Sequence, residues 1–303
     1  MFKFFKNNLL NIHLRKLSDS NQAVVGIVVA VLLIGLVVSV ISVIQLVYVP
    51  NWMEETESEH IDEVFNQFCQ LKLVIDTQSA NKKNFTPIVT SINLGTNKIP
   101  FFMSTRAAGG LDIIDNACNV TIKDTHGGTY GPYSLGAIKF TSANAYYIPN
   151  ELISFIYENG ALITNQKGGN ALNIKPSFAF AYEDGNETVY FNMVDISSVG
   201  GKISKYGYDI EHIRTEYYLS EYHLLSGNPI FIPNVDYLEI TSNYTDIWYS
   251  FISGYLNSKG VICMPPEYPS VNTVHIEFNK AINFELSITG IYAQIGPGWI
   301  DIS

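Results

Sequence analysis

The stretch "GYDIEHIRTEYYLSEYH", Gly207 to His223, gathers Asp209, Glu211, His212, Glu216, Glu221 and His223, residue types that ligate metals or move protons. A metal site needs several of these to converge at about 2.0–2.6 Å. Alternation along a strand puts Glu211 and His212 on opposite faces, which splits the best pair. The expectation is a polar strand edge. A second stretch, "DTHGGTYGPYSLG", offers Ser134 as a nucleophile. An esterase elbow carries glycine two residues before its serine, and Pro132 stands there instead. His126 and His275 have no motif around them, and the chain has no Walker loop, HExxH, CxxC or EF-hand loop. The carboxylate spacing used by glycosidases is a property of a fold, not of a sequence. A tethered hydrolase of envelope glycans is therefore kept as the third reading. The first expectation is a protein that is not an enzyme and holds no metal or cofactor.

What would position such residues begins with "SNQAVVGIVVAVLLIGLVVSVISVIQLVYVP", Ser20 to Pro50, which has no charged side chain. A helix of about 20 apolar residues crosses a hydrocarbon core of roughly 30 Å. A signal-peptide core is shorter, about 7–15 residues, and ends at a small-residue cleavage site. Here the run ends in Gln45, Tyr48, Pro50 and Trp52, an interfacial flank. Residues 22–50 are read as a transmembrane helix in a lipid bilayer, after a basic leader, 1–21.

Lys3, Lys6, Arg15 and Lys16 precede the helix against Asp19 alone, so of 18 Lys and Arg and 28 Asp and Glu, fourteen basic and 27 acidic residues lie beyond residue 50. Basic flanks stay inside, so the expected N-terminus is cytoplasmic and the C-terminal head extracellular. An acidic head excludes nucleic acid as a partner, because that needs a basic face. N-x-[ST] sequons at Asn84, Asn119, Asn186 and Asn243 are candidate glycosylation sites on an exported surface. The three cysteines, Cys69, Cys118 and Cys263, permit at most one internal bridge, and Cys118–Cys263 is the candidate.

Beyond the membrane, Ile61, Val64, Phe65, Phe68, Leu71 and Ile75 recur at helical steps, with acidic residues before them. This predicts an amphipathic helix over 51–80, a stalk or a core helix of the exterior domain, with a self-association seam as the alternative. From 81 to 303, strand-like runs alternate with turn residues. Asn159-Gly160 and Asp184-Gly185 sit between such runs and read as hairpin turns. "SNYTDIWYSFISGYLNSKG" reads as one short helix, capped by Thr245 or Asp246, anchored by Trp248 and stopped by Gly260. The expected fold is mainly β: a transmembrane helix and a stalk helix, then an antiparallel β-sandwich head with one inserted helix. Tyr146, Tyr147, Tyr182, Tyr190, Tyr217, Tyr218 and Tyr222 supply a candidate adhesive surface for a glycan or protein ligand.

The basic leader, the single Val/Ile/Leu/Gly-rich helix and the β-rich remainder resemble archaeal type IV pilin-like surface proteins. The similarity extends to pilin-like proteins of haloarchaea and methanogens through "INLGTNKIPFFMSTRAAGGL", "FIYENGALITNQKGGNALNIKPSFAFAYEDGNETVYF" and "YLEITSNYTDIWYSFI". The resemblance implies a membrane-anchored cell-surface protein, structural or adhesive, with a processed pilus subunit as the alternative. It also implies cleavage between Asn21 and Gln22, although Ser18 to Asn21 depart from the usual site and Gly26 stands where bacterial pilins carry an acid. Self-assembly would run through the N-terminal helices, where Gly26 with Ala30, and Gly35 with Ser39, provide small residues four apart.

Overall fold

A computed structural model describes residues 20–83, 86–96, 106–148, 151–183, 185–218 and 229–296. The chain divides into two compact units, Met1–Asn51 and Trp52–Ser303. In the first, helix α1 spans Ser20–Val43 and a π-helical turn spans Ile44–Tyr48. Every residue from Val24 to Ile41 is exposed, and the Ser39 and Ser42 hydroxyls donate to Leu36 O and Val38 O, both at 2.8 Å. One helix near the N-terminus is thus long and apolar enough to cross a membrane. The Ser39 and Ser42 hydroxyls are satisfied along the helix itself, as a hydrocarbon surrounding requires. Helix α2, Val49–Asn81, follows the π-helical turn without a break, the Val49 N–H donating to Ile44 O. Pro50 thus lies inside a continuous helix, and the bond its missing N–H cannot make falls next to that shifted turn.

In the second unit, thirteen described strands form one hydrogen-bonded sheet. They are β1 Ile88–Asn93, β2 Ala108–Asp124, β3 Thr129–Ala143, β4 Leu152–Glu158, β5 Ala161–Gln166 and β6 Gly169–Ile174, followed by β7 Ser177–Glu183, β8 Asn186–Ser198 and β9 Ser204–Gly207. β10 Ile210–Tyr218 and β11 Ile230–Thr241 precede helix α3, Thr245–Asn257, and β12 Glu267–Ser270 and β13 Thr273–Ile295 end the series. The main path runs β1-β10-β13-β11-β2-β3-β4-β5-β6 and is antiparallel; β8 joins β13 in parallel. The expected mainly antiparallel β content is present, hydrogen-bonded into this single sheet. Its long strands change partners along their length: β13 pairs with β11 over 273–286 and with β10 over 290–295.

Two cores lie on opposite faces of the sheet. On β4, Phe155 and Tyr157 belong to one core and Ile156 to the other, and successive strand residues point to opposite faces. The expected hairpins are present. Glu158 pairs with Ala161 around Asn159 (φ 46°) and Gly160 (φ 76°), and Glu183 pairs with Asn186 around Gly185 (φ 80°); Asp184 lies outside the described residues. At Gly136 on β3, an added Cβ would stand 1.9 Å from Ile196 O, so β8 crosses here only because the side chain is missing. α3 begins at Thr245, so its N-cap is Tyr244, one residue before the first expected cap, with no side-chain capping bond. Trp248 is almost wholly buried in the core shared with β2, β11 and β13.

From Trp52 onward α2 is not a free stalk. Ile61, Val64, Phe68, Leu71 and Ile75 pack into one of the two cores, with Phe68 against the rings of Phe140 (6.4 Å) and Phe155 (6.2 Å). The same helix face carries polar pins. Glu57, fully buried, accepts from the N–H groups of Ala145, Tyr146 and Tyr147 at 2.7–3.1 Å. His60 Nε2 meets Asn93 O at 2.9 Å, and Gln78 Nε2 donates to Thr215 O at 2.8 Å. We expect Phe68→Ala to lower unfolding free energy by about 3–5 kcal/mol, the usual cost of deleting a buried ring. Chemical denaturation of the detergent-solubilised chain, followed by near-ultraviolet circular dichroism, measures it.

Candidate functional site

The sequence candidates are placed but not assembled. On β10, Glu211 pairs with Lys202 (3.4 Å) and Lys205 (3.5 Å), while the His212 Nδ1 lies 3.0 Å from Ser91 Oγ. Glu216 is buried, and Glu221 and His223 lie outside the described residues. Ser134 Oγ donates to Asn116 Oδ1 at 2.7 Å. His126 sits in a turn whose Asp124 carboxylate accepts from the N–H groups of His126 (2.8 Å) and Gly128 (2.7 Å). Those bonds hold the Asp124 carboxyl below its ordinary value. His275 is not isolated, for it meets Glu239 across the β11–β13 ladder. No sequence motif marks that pair, since its members are 36 residues apart. Among the described residues, no group of His, Cys, Asp and Glu could hold a metal ion.

The modification candidates separate by exposure. Asn186 is exposed at the β7–β8 turn, and exposed Asn243 accepts a bond from Asn272 Nδ2. Asn119 is half-buried inside the sheet, between Ser134 of β3 and Thr241 of β11. Asn84 lies outside the described residues, as do the side chains of Asn21 and Gln22, whose backbone is part of α1. The expected Cys118–Cys263 bridge is not formed, and all three cysteines are free thiols. Register explains why. Cys118 lies one residue before Asn119, which pairs with Thr241 and through it Thr273, whereas Cys263 bridges Phe278. The two rows are thus six residues apart along β11, roughly 20 Å at 3.3 Å per residue, far beyond disulfide reach. The tyrosines do not make one surface: Tyr217 is buried, Tyr146, Tyr147, Tyr190 and Tyr218 are half-buried, Tyr182 is exposed, and Tyr222 lies outside the described residues.

Sequence reasoning passed over Glu158, at the end of β4. It is 1% exposed, and its Oε1 accepts from Ser242 Oγ (2.7 Å) and Trp248 Nε1 (2.8 Å). Burial pushes its carboxyl up to about 7, with the two donors pulling partly back. The neighbouring Cys118 thiol is raised well above its ordinary value by burial first and by Glu158 second. Closed off from solvent, this group shapes the interior and cannot meet a substrate.

Open space exists elsewhere on the unit. One cavity of about 580 Å³ lies between the last turns of α2, the Lys175–Ser177 corner, β8 and β13. A groove of similar volume runs between β6 and α3, and Lys175 borders both. These volumes fall within the range of about 300–1,000 Å³ typical of small-molecule sites. No protein-family model, no curated protein and no solved structure matches the chain.

Two outcomes follow from this geometry. The Glu158 carboxyl has a folded value raised from 4.5 to about 7. Its stabilising contribution is therefore fully present below pH 4.5 and lost as pH rises through about 7, by about 3 kcal/mol in all. Relative to the native chain, Glu158→Gln should gain unfolding free energy across that window and plateau above it. Denaturation at a series of pH values reads the difference, in which the other titrating groups cancel. Separately, an alkylating reagent should label the partly exposed Cys69 before Cys118 and Cys263, which should react only on unfolding; peptide mass spectrometry after timed labelling measures the order.

Proposed function

We propose that this chain is a membrane-anchored surface protein, with a cytoplasmic N-terminus and an extracellular β-rich head, in the manner of archaeal pilin-like proteins. The observation that carries the reading is the uninterrupted exposure of apolar side chains around α1 from Val24 to Ile41. Burying one Val, Leu or Ile is worth about 1.5–3 kcal/mol. Fourteen such side chains in that stretch make transfer of the helix into lipid favourable by tens of kcal/mol on that scale. The basic residues before it support a cytoplasmic N-terminus. The head then acts by display, as a structural element of the envelope or as an adhesive surface for a glycan or protein.

A second reading, a processed pilus subunit, is supported by Gly26 with Ala30 and Gly35 with Ser39 on α1, small residues four apart at which another helix can approach closely. Fractionation and N-terminal mass separate the readings. A display protein stays in membranes after alkaline carbonate washing, loses its head to protease added outside intact cells, and keeps Lys3 to Lys16. A chain that begins at Gln22 and is recovered in sheared filaments supports the subunit. A chain extracted by carbonate alone overturns both.

A further inference from the structure

The cavity at the C-terminal end of α2 has a charge opposite to that of its surroundings. Beyond residue 50 the chain carries fourteen basic against 27 acidic residues. Three of those basic residues, Lys72, Lys82 and Lys175, line this one cavity, with Asp76 the single acid among them. Lys72 is buried, and its ammonium donates to the two Asp76 oxygens, at 2.9 and 3.2 Å. Lys82 closes α2 at φ 50°, its N–H donating to Gln78 O, in the left-handed position that glycine or asparagine ordinarily fills. A lysine held there places its side chain at the cavity where glycine would place none.

The remaining lining is of two kinds. Ile174, Pro176 and Met193 supply apolar surface. Ser177, Asn192 and Ser287 form a chain in which Ser287 Oγ donates to Asn192 Oδ1 and Asn192 Nδ2 donates to Ser177 Oγ at 2.9 Å. That arrangement leaves the Ser177 hydroxyl hydrogen for a further acceptor. Ser79 also lines the cavity, and its Oγ, shut off from solvent, has no hydrogen-bond partner.

We propose that this cavity binds a small hydroxylated carboxylate of the sugar-acid type, a uronate, either free or as the acidic unit of a glycan. The lysine ammonium groups take the carboxylate as charge-assisted bonds, the serine and asparagine groups take ring hydroxyls, and the apolar side chains lie against the C–H face of the ring. The inference stands on the cavity alone and does not depend on membrane placement.

The test is calorimetric titration of the full chain in detergent with D-galacturonate, a galacturonate trimer, D-galactose and inorganic phosphate, the last two as controls. Saturable binding of galacturonate, absent for galactose, is the expected result. Lys82→Gln with Lys175→Gln, both exposed on the rim, should weaken it about tenfold while leaving the thermal midpoint unchanged. Tighter binding of the trimer assigns the source to a glycan, and equal or weaker binding assigns it to the free acid. Phosphate binding without galacturonate binding overturns the proposal, as does an affinity for galacturonate that the double variant leaves unchanged. No heat above dilution with either uronate also overturns it.

Discussion

The docking of α2 against the sheet is the constraint on which the larger unit depends. Its apolar residues recur over four turns, from Ile61 to Ile75, and fill one of the two cores. Flanking them on the same helix are Glu57 and His60 before and Gln78 after, each bonded to backbone of a different segment: the 145–147 turn, β1 and β10. Apolar packing alone would tolerate sliding of the helix by a turn. The polar pins do not, because a one-turn shift would leave a buried carboxylate and several buried N–H groups unpaired, at about 1–3 kcal/mol or more for each. Burial holds His60 below its ordinary value, so it serves this bond as a neutral donor.

The second core works differently. It lies on the opposite face and is closed by α3, and the carboxyl of Glu158 sits at its border rather than at a surface. A buried carboxyl with only two neutral donors is more stable protonated than ionised, which is why its value rises toward neutrality. The sheet between the cores is one continuous ladder because β2, which passes from β9 to β11, and β13, which passes from β11 to β10, are long enough to exchange partners midway. That single ladder ties the element holding Trp248 to the element holding Phe68 without a second sheet.

The cavity at the end of α2 is a by-product of that docking. Where the helix leaves the sheet, its last turns and the Lys175–Ser177 corner stand apart, and the lysines there are concentrated against an otherwise acidic unit. Lys72 stands on helix α2 and Asn192 and Ser287 on strands β8 and β13, while Lys82 follows the end of α2 and Lys175 lies in the corner between β6 and β7.

Several features were legible from residues alone because their physics is local. The apolar run of α1, the helical spacing of Ile61 to Ile75, the Trp248 helix and the two hairpin turns each depend on neighbours within a few positions. Strand content was readable for the same reason. Long-range register was not, and the pairings named next, which depend on it, were misread or missed. The cysteine pairing failed because Cys118 and Cys263 fall on different rows of the sheet. His275 gained Glu239, and Glu158 gained Ser242 and Trp248, through contacts of 36, 84 and 90 residues' separation. The sequence by itself determined an acidic, β-rich chain with one membrane-compatible helix, since composition and short periodicity suffice for that. Only the tertiary structure decided that α2 is core and not stalk, that one sheet serves two cores, and where three lysines meet, because strand pairing and helix docking join residues that no sequence spacing relates.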